Sequence, residues 1–79
     1  MRQLSYGEKL VGKAFNPSGS SDVDEIKGLY ADVIDMLTER HTTSATTNAK
    51  IQNRMLEIAA EKAIEAHMWA VKALTYGRN

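Results

Sequence analysis

From Asn48 to Tyr76 the chain runs without Gly or Pro, and its Ala, Leu, Met, Glu, Lys and Arg residues favour helix at most positions. At about 1.5 Å per residue such a helix would extend for roughly 40 Å. The whole chain has only 79 residues, too few to enclose a rod of that length. Ile51, Met55, Ile58 and Ala59 define one apolar face, and Ile64, Met68, Val71 and Leu74 an adjoining one. Ala60, Ala63, Ala66, Ala70 and Ala73 permit close approach by other helices. One shorter partner helix cannot cover both faces, so the pattern predicts association with further copies of the chain.

The remaining elements must dock on this helix. Ser5-Tyr6-Gly7-Glu8 has capping-box spacing and predicts a short first helix over about 5–13, with Tyr6, Leu10 and Val11 as packing residues. Phe15-Asn16-Pro17-Ser18-Gly19-Ser20 then breaks it, because Pro17 disfavours helical geometry at Asn16 and Gly19 permits a turn. Ser21, Asp22, Asp24 and Glu25 suit a second helix start. Val23, Ile26, Tyr30, Val33 and Leu37 give it an apolar stripe, widened by Leu29, Ile34 and Met36, so a helix over about 21–40 is expected. Gly28 lowers its helix propensity or lets a neighbour approach. His41 to Thr47 reads as the reversing loop of an antiparallel hairpin, with Thr47 or Asn48 capping a third helix over about 48–76. The fold class is therefore all-α, a short N-terminal helix followed by a long antiparallel helical hairpin, in one domain spanning 1–79.

Ten Lys plus Arg balance ten Asp plus Glu, which argues against a duplex-DNA binder driven by counterion release. The absence of Cys removes disulfides and thiolate metal sites. The first ten residues lack the apolar core of a signal peptide, and no run approaches the roughly 18 apolar residues of a membrane span. A soluble, intracellular protein is expected.

No catalytic group stands out. His41 and His67 are far apart without ligand-spaced partners and read as surface or interface residues, so no metal site is expected. The Ser and Thr residues fall at caps and loops. Asn16, Ser18, Ser20 and Ser21 gather where backbone N–H groups open a helix, with Lys27 just over a turn inside it. They form either an anion cradle or a simple helix cap. Tyr6 and Phe15 are either base-stacking aromatics or, as is commoner, core residues; Met68 and Trp69 are expected in the core or at a subunit interface.

Four segments taken together resemble a known family: Ser5-Tyr6-Gly7-Glu8-Lys9-Leu10-Val11-Gly12, Phe15-Asn16-Pro17-Ser18-Gly19, Asp22-Val23-Asp24-Glu25-Ile26-Lys27 and Met68-Trp69-Ala70-Val71-Lys72-Ala73-Leu74-Thr75. The family is the phage helical-hairpin nucleotide sponges, shared by anti-CBASS cyclic-oligonucleotide sponges and one class of Thoeris anti-defence proteins. The chain has no room for the strand insertion of the Thoeris class and looks more like the compact anti-CBASS type. The resemblance implies a homohexamer in the cytoplasm of the infected bacterial host. It would hold cyclic dinucleotides such as cyclic GMP-AMP intact at subunit interfaces, without a cofactor, and so block activation of CBASS effectors. By position, Tyr6 resembles the family's base-stacking aromatic, Asn16 a polar ligand contact and Lys27 the phosphate-binding lysine; Lys9, Pro17 and Ser18 are flanking neighbours. Some members carry a second, cyclic-trinucleotide pocket where three subunits meet. It uses an arginine that aligns with Ala60 here and a threonine that aligns with Leu29, so both positions depart from that pocket's pattern.

Three functional readings follow. The first is a non-enzymatic cyclic-dinucleotide sponge. The alternatives are a sponge for an ADP-ribose-derived Thoeris messenger and a helical adaptor that holds another protein. An enzyme hydrolysing the nucleotide is disfavoured by the missing nucleophile and metal cluster.

Overall fold

The computed structural model describes residues 3–77; Met1, Arg2, Arg78 and Asn79, the ends of the expected 1–79 domain, lie outside the described residues. Three helices follow in chain order: α1 (Tyr6–Leu10), α2 (Ser21–Glu39) and α3 (Thr47–Leu74). Among the described residues all the regular structure is helical, as the apolar periodicity requires.

α1 is shorter than the capping box alone suggests. Its start is as expected, with the Ser5 hydroxyl accepting from the Glu8 N–H at 3.1 Å and the Glu8 carboxylate accepting from the Ser5 N–H at 2.8 Å. Its end comes early because Gly12 adopts φ 66°, and the N–H groups of Gly12 and Lys13 fold back onto the carbonyls of Lys9 and Glu8 at 3.2 and 2.9 Å. This paired closure, with Gly in the left-handed region, is a Schellman motif and stops the helix two turns or less after it begins.

Ser20, one residue before the expected start, caps α2 by accepting from the Val23 N–H. α2 lies between its two neighbours and packs on both α1 and α3. This double duty rotates its buried line away from the stripe drawn by spacing. Val23, Lys27, Ala31 and Ile34 are the buried residues, whereas Val33 is exposed and Ile26, Tyr30 and Leu37 are only half-buried. Ile34 has no accessible surface and, with Val11 and Ala31, centres a small core closed by Tyr30, Ala63 and Ile64.

The reversing loop is pinned by Asn53 of α3, whose side-chain amide donates to the Thr42 carbonyl (2.7 Å) and accepts from its N–H (3.1 Å). Thr46, not Thr47 or Asn48, caps α3 through a bond from the Ala49 N–H. The antiparallel register places His67 beside Tyr30, with ring centroids 6.3 Å apart. His67 is 6% exposed and its Nδ1 lies 2.6 Å from the Ile64 carbonyl. Since a carbonyl can only accept, Nδ1 carries the proton there. His67 is thus packed within one chain rather than being a surface residue.

The principal extents are 50 × 30 × 12 Å, and the radius of gyration is 14.7 Å. A compact chain of this length would have a radius near about 12 Å. The protein is a layer one helix thick, and Leu29, Val33 and Met36 on α2, like Ile51, Met55, Met68 and Trp69 on α3, remain exposed. Met68 and Trp69 are therefore not core residues of the single chain. No helix among the described residues is long and apolar enough to cross a membrane.

Candidate functional site

A cavity of about 410 Å³ opens where the connector between α1 and α2 meets the C-terminal turn of α3. The connector supplies Phe15, Asn16, Pro17 and Ser18, α2 supplies Val23 and Lys27, and Val71 and Thr75 close the far side. Its volume lies in the usual range for small-molecule sites, with mostly apolar walls and a few polar groups.

Lys27 is the unusual member. It is 6% exposed, and its Nζ donates to the carbonyl of Gly12 at 3.0 Å and to that of Phe15. Both acceptors are neutral. Among the described residues no carboxylate lies within ion-pair distance of this ammonium. A buried cation without a counterion is unfavourable, and here two carbonyl dipoles offset only part of its lost hydration. One N–H of the three remains for a further acceptor.

The connector is an ordered structure in its own right. The Asn16 amide donates to the Ser20 carbonyl (2.8 Å) and to Asp24 Oδ1 (3.0 Å), while its Oδ1 accepts from the Ser18 hydroxyl at 2.6 Å. Both side-chain N–H groups of Asn16 are therefore occupied, by Ser20 and by Asp24 of α2, and toward a ligand the side chain offers only an acceptor. Ser18 Oγ also accepts from the Ser20 N–H at 3.2 Å. Helix capping and a cavity lined by Lys27 thus coexist here.

Of the residues singled out from the sequence, Asn16, Pro17, Ser18 and Lys27 share this cavity. Tyr6 does not. It lines a second depression of about 340 Å³ with Leu10, Thr38, His41, Glu57, Ala60, Glu61 and Ile64. Lys9 is exposed on α1 and lines neither. Two expectations change: Tyr6, at 56% exposed, and Phe15, at 70%, are not core residues. Val23, Val71 and Thr75 were missed as lining residues, because only the hairpin register, with residue 30 beside 67, brings the end of α3 to the start of α2. Among the described residues no cluster of three His, Cys, Asp or Glu side chains could hold a metal ion.

The second depression is lined by two carboxylates, Glu57 and Glu61, and by His41. His41 Nε2 lies 3.9 Å from Glu57, and Arg54 lies 3.4 Å from Glu57 and 3.8 Å from Glu61. Arg54 is thus paired with two carboxylates of its own helix.

The short first helix, the capped connector and the helical hairpin define a small all-helical domain. The family model for the Acb2/Tad1 hairpin domain matches residues 8–75, and the chain belongs to that family. Its members sequester cyclic nucleotide signals. Comparison with curated proteins and with solved structures returned no match.

Proposed function

We propose that this protein is a phage counter-defence sponge that binds cyclic dinucleotide messengers such as cyclic GMP-AMP, holds them intact, and thereby keeps CBASS effectors from being activated in the cytoplasm of the host bacterium. The buried ammonium of Lys27, which has no carboxylate at ion-pair distance among the described residues, stands at the wall of a ligand-sized cavity and carries the reading. A phosphodiester oxygen accepting its remaining N–H supplies the missing negative charge through a charge-assisted hydrogen bond. The first turn of α2, with the positive end of its dipole, favours an anion on the same side. Sequestration needs nothing further, because lowering the free messenger by mass action silences an effector without breaking a bond.

In this reading Asn16, Pro17 and Ser18 shape the connector around the ligand. Tyr6 stacks on a base and Lys9 flanks it. Within one chain Tyr6 and Lys27 line different depressions, so a ligand that meets both lies between subunits. The exposed apolar faces of α2 and α3 support that assembly, a homohexamer, since covering them removes large apolar side chains from water.

The deciding experiment incubates the purified protein with cyclic GMP-AMP, removes free ligand, denatures the protein and identifies what was bound. Intact messenger near stoichiometry is expected. Recovery of a cleaved product would make the protein an enzyme. No retention of cyclic GMP-AMP, with retention of an ADP-ribose-derived messenger in a parallel sample, would move the assignment to the Thoeris side of the family.

A further inference from the structure

We infer that Phe15 is a base-stacking platform of the Lys27 cavity, so that one protomer offers a nucleotide both a π face and a phosphate contact, independently of Tyr6. The inference rests on the nucleotide-sponge reading and adds a residue to its site. An exposed aromatic ring usually carries little meaning, but this one is held on a pinned backbone. The Phe15 N–H donates to the Gly12 carbonyl at 2.9 Å, and its own carbonyl accepts from Lys27 Nζ. The same ammonium lies 5.9 Å from the centre of the Phe15 ring. The Phe15 backbone is therefore tied to the cation by a hydrogen bond across the connector, with the ring at a spacing that permits cation–π attraction.

The ring is 70% exposed while its residue lines the cavity. Its apolar surface is available to a ligand, and the backbone adds little ordering entropy to the cost of binding because it is already placed. Stacking suits this position better than hydrogen-bond reading of a base. The Asn16 amide N–H groups point into the connector, and the Thr75 hydroxyl donates to the Val71 carbonyl at 2.8 Å. With those donors occupied, a flat apolar contact to the base is the interaction the walls can best supply, and it tolerates more than one base because every base has a π face.

The test measures cyclic GMP-AMP affinity by titration calorimetry for the wild type, Phe15→Ala, Phe15→Leu and Phe15→Trp, with the assembly mass of each followed by light scattering. Phe15→Ala should weaken binding by about ten- to a hundredfold, the range for losing one stacked base. Phe15→Leu should lose nearly as much, since it keeps apolar bulk but has no π face, and Phe15→Trp should bind like the wild type. Assembly mass should be unchanged in all four. Wild-type-like binding by Phe15→Ala or Phe15→Leu would overturn the assignment, and a fall in assembly mass would make Phe15 a subunit contact instead. If the wild type itself binds no cyclic dinucleotide, the sponge reading fails first; if it binds and the Phe15 variants do not differ, only this inference fails.

Discussion

The carboxylate of Asp35 accepts a 2.6 Å hydrogen bond from the backbone N–H of Gly7, a residue on a different helix. The N–H groups of a first helical turn have no intrahelical acceptor, and here α2 supplies one. Gly7 can come this close only because it has no side chain: a Cβ there would collide with the Ala31 carbonyl oxygen and lie 2.8 Å from Asp35 Oδ1. The contact fixes α1, and with it Tyr6, against α2.

Gly7→Ala should accordingly lift α1 from α2 and destabilise the protein by about 2–3 kcal/mol, in the range for overpacking a tight contact. Asp35→Ala should cost about 1–3 kcal/mol by leaving the Gly7 N–H without its partner. Denaturant titration gives both values, and amide exchange at residues 6–10 should accelerate in both variants. A wild-type melting curve for Gly7→Ala would show that α1 does not need this close approach.

Lys27→Met keeps most of the aliphatic stem but removes the ammonium, freeing the Gly12 and Phe15 carbonyls. Losing hydrogen bonds to a charged donor is worth about 1.5–3 kcal/mol each, although removal of a buried charge gives part of this back. The net expectation is a loss of about 1–2 kcal/mol in stability. For the ligand the effect is larger, at least tenfold in cyclic GMP-AMP affinity, together with a flatter dependence of affinity on salt. Calorimetry at two ionic strengths separates these effects; unchanged salt dependence would mean that the phosphate lies elsewhere.

Gly28 sits inside α2, yet a Cβ there would meet only the end of the flexible Lys13 side chain at 3.7 Å, an ordinary contact. No close approach within the chain explains it. Gly28→Ala should therefore stabilise the isolated chain by about 0.5–1 kcal/mol through helix propensity. Thermal unfolding checks the sign. A loss instead would show that the assembled protein uses this space.

Val33→Glu places a charge on the exposed apolar side of α2, between Leu29 and Met36. Within one chain the change should be nearly neutral, so helicity measured by circular dichroism should persist. In the proposed assembly a desolvated carboxylate is strongly unfavourable, and sedimentation should report a smaller species. An unchanged sedimentation coefficient would remove α2 from the subunit interface.

The helices were legible because apolar spacing and capping residues are local signals: the Ser5–Glu8 box and the break at Pro17 can both be read without a neighbour. Tertiary contacts were not. Lys27 stands where a charged residue on an amphipathic helix is expected to be solvated, and only the folded connector reveals that two carbonyls draw it inward. Asn16 reads as a polar ligand contact, and only the fold adds that its side-chain amide is also held by Ser20 and Asp24. Tyr6 and Lys27 form a pair in the family pattern, but a single chain separates them, because α1 and the connector lead to different depressions. Val33 misled for a related reason: a stripe drawn at helical period assumes one partner, and α2 has two.

The 12 Å thickness has an evolutionary reading. A chain that is almost all rim has few positions hidden from every neighbour, so in the proposed assembly the same residues would answer to folding, to association and to the captured molecule. Divergence under pressure from changing immune messengers would then be channelled: the short connector could vary around its pinned backbone, while the broad helical flanks would stay answerable to identical copies of themselves. Ligand choice can drift in such a protein faster than its outline.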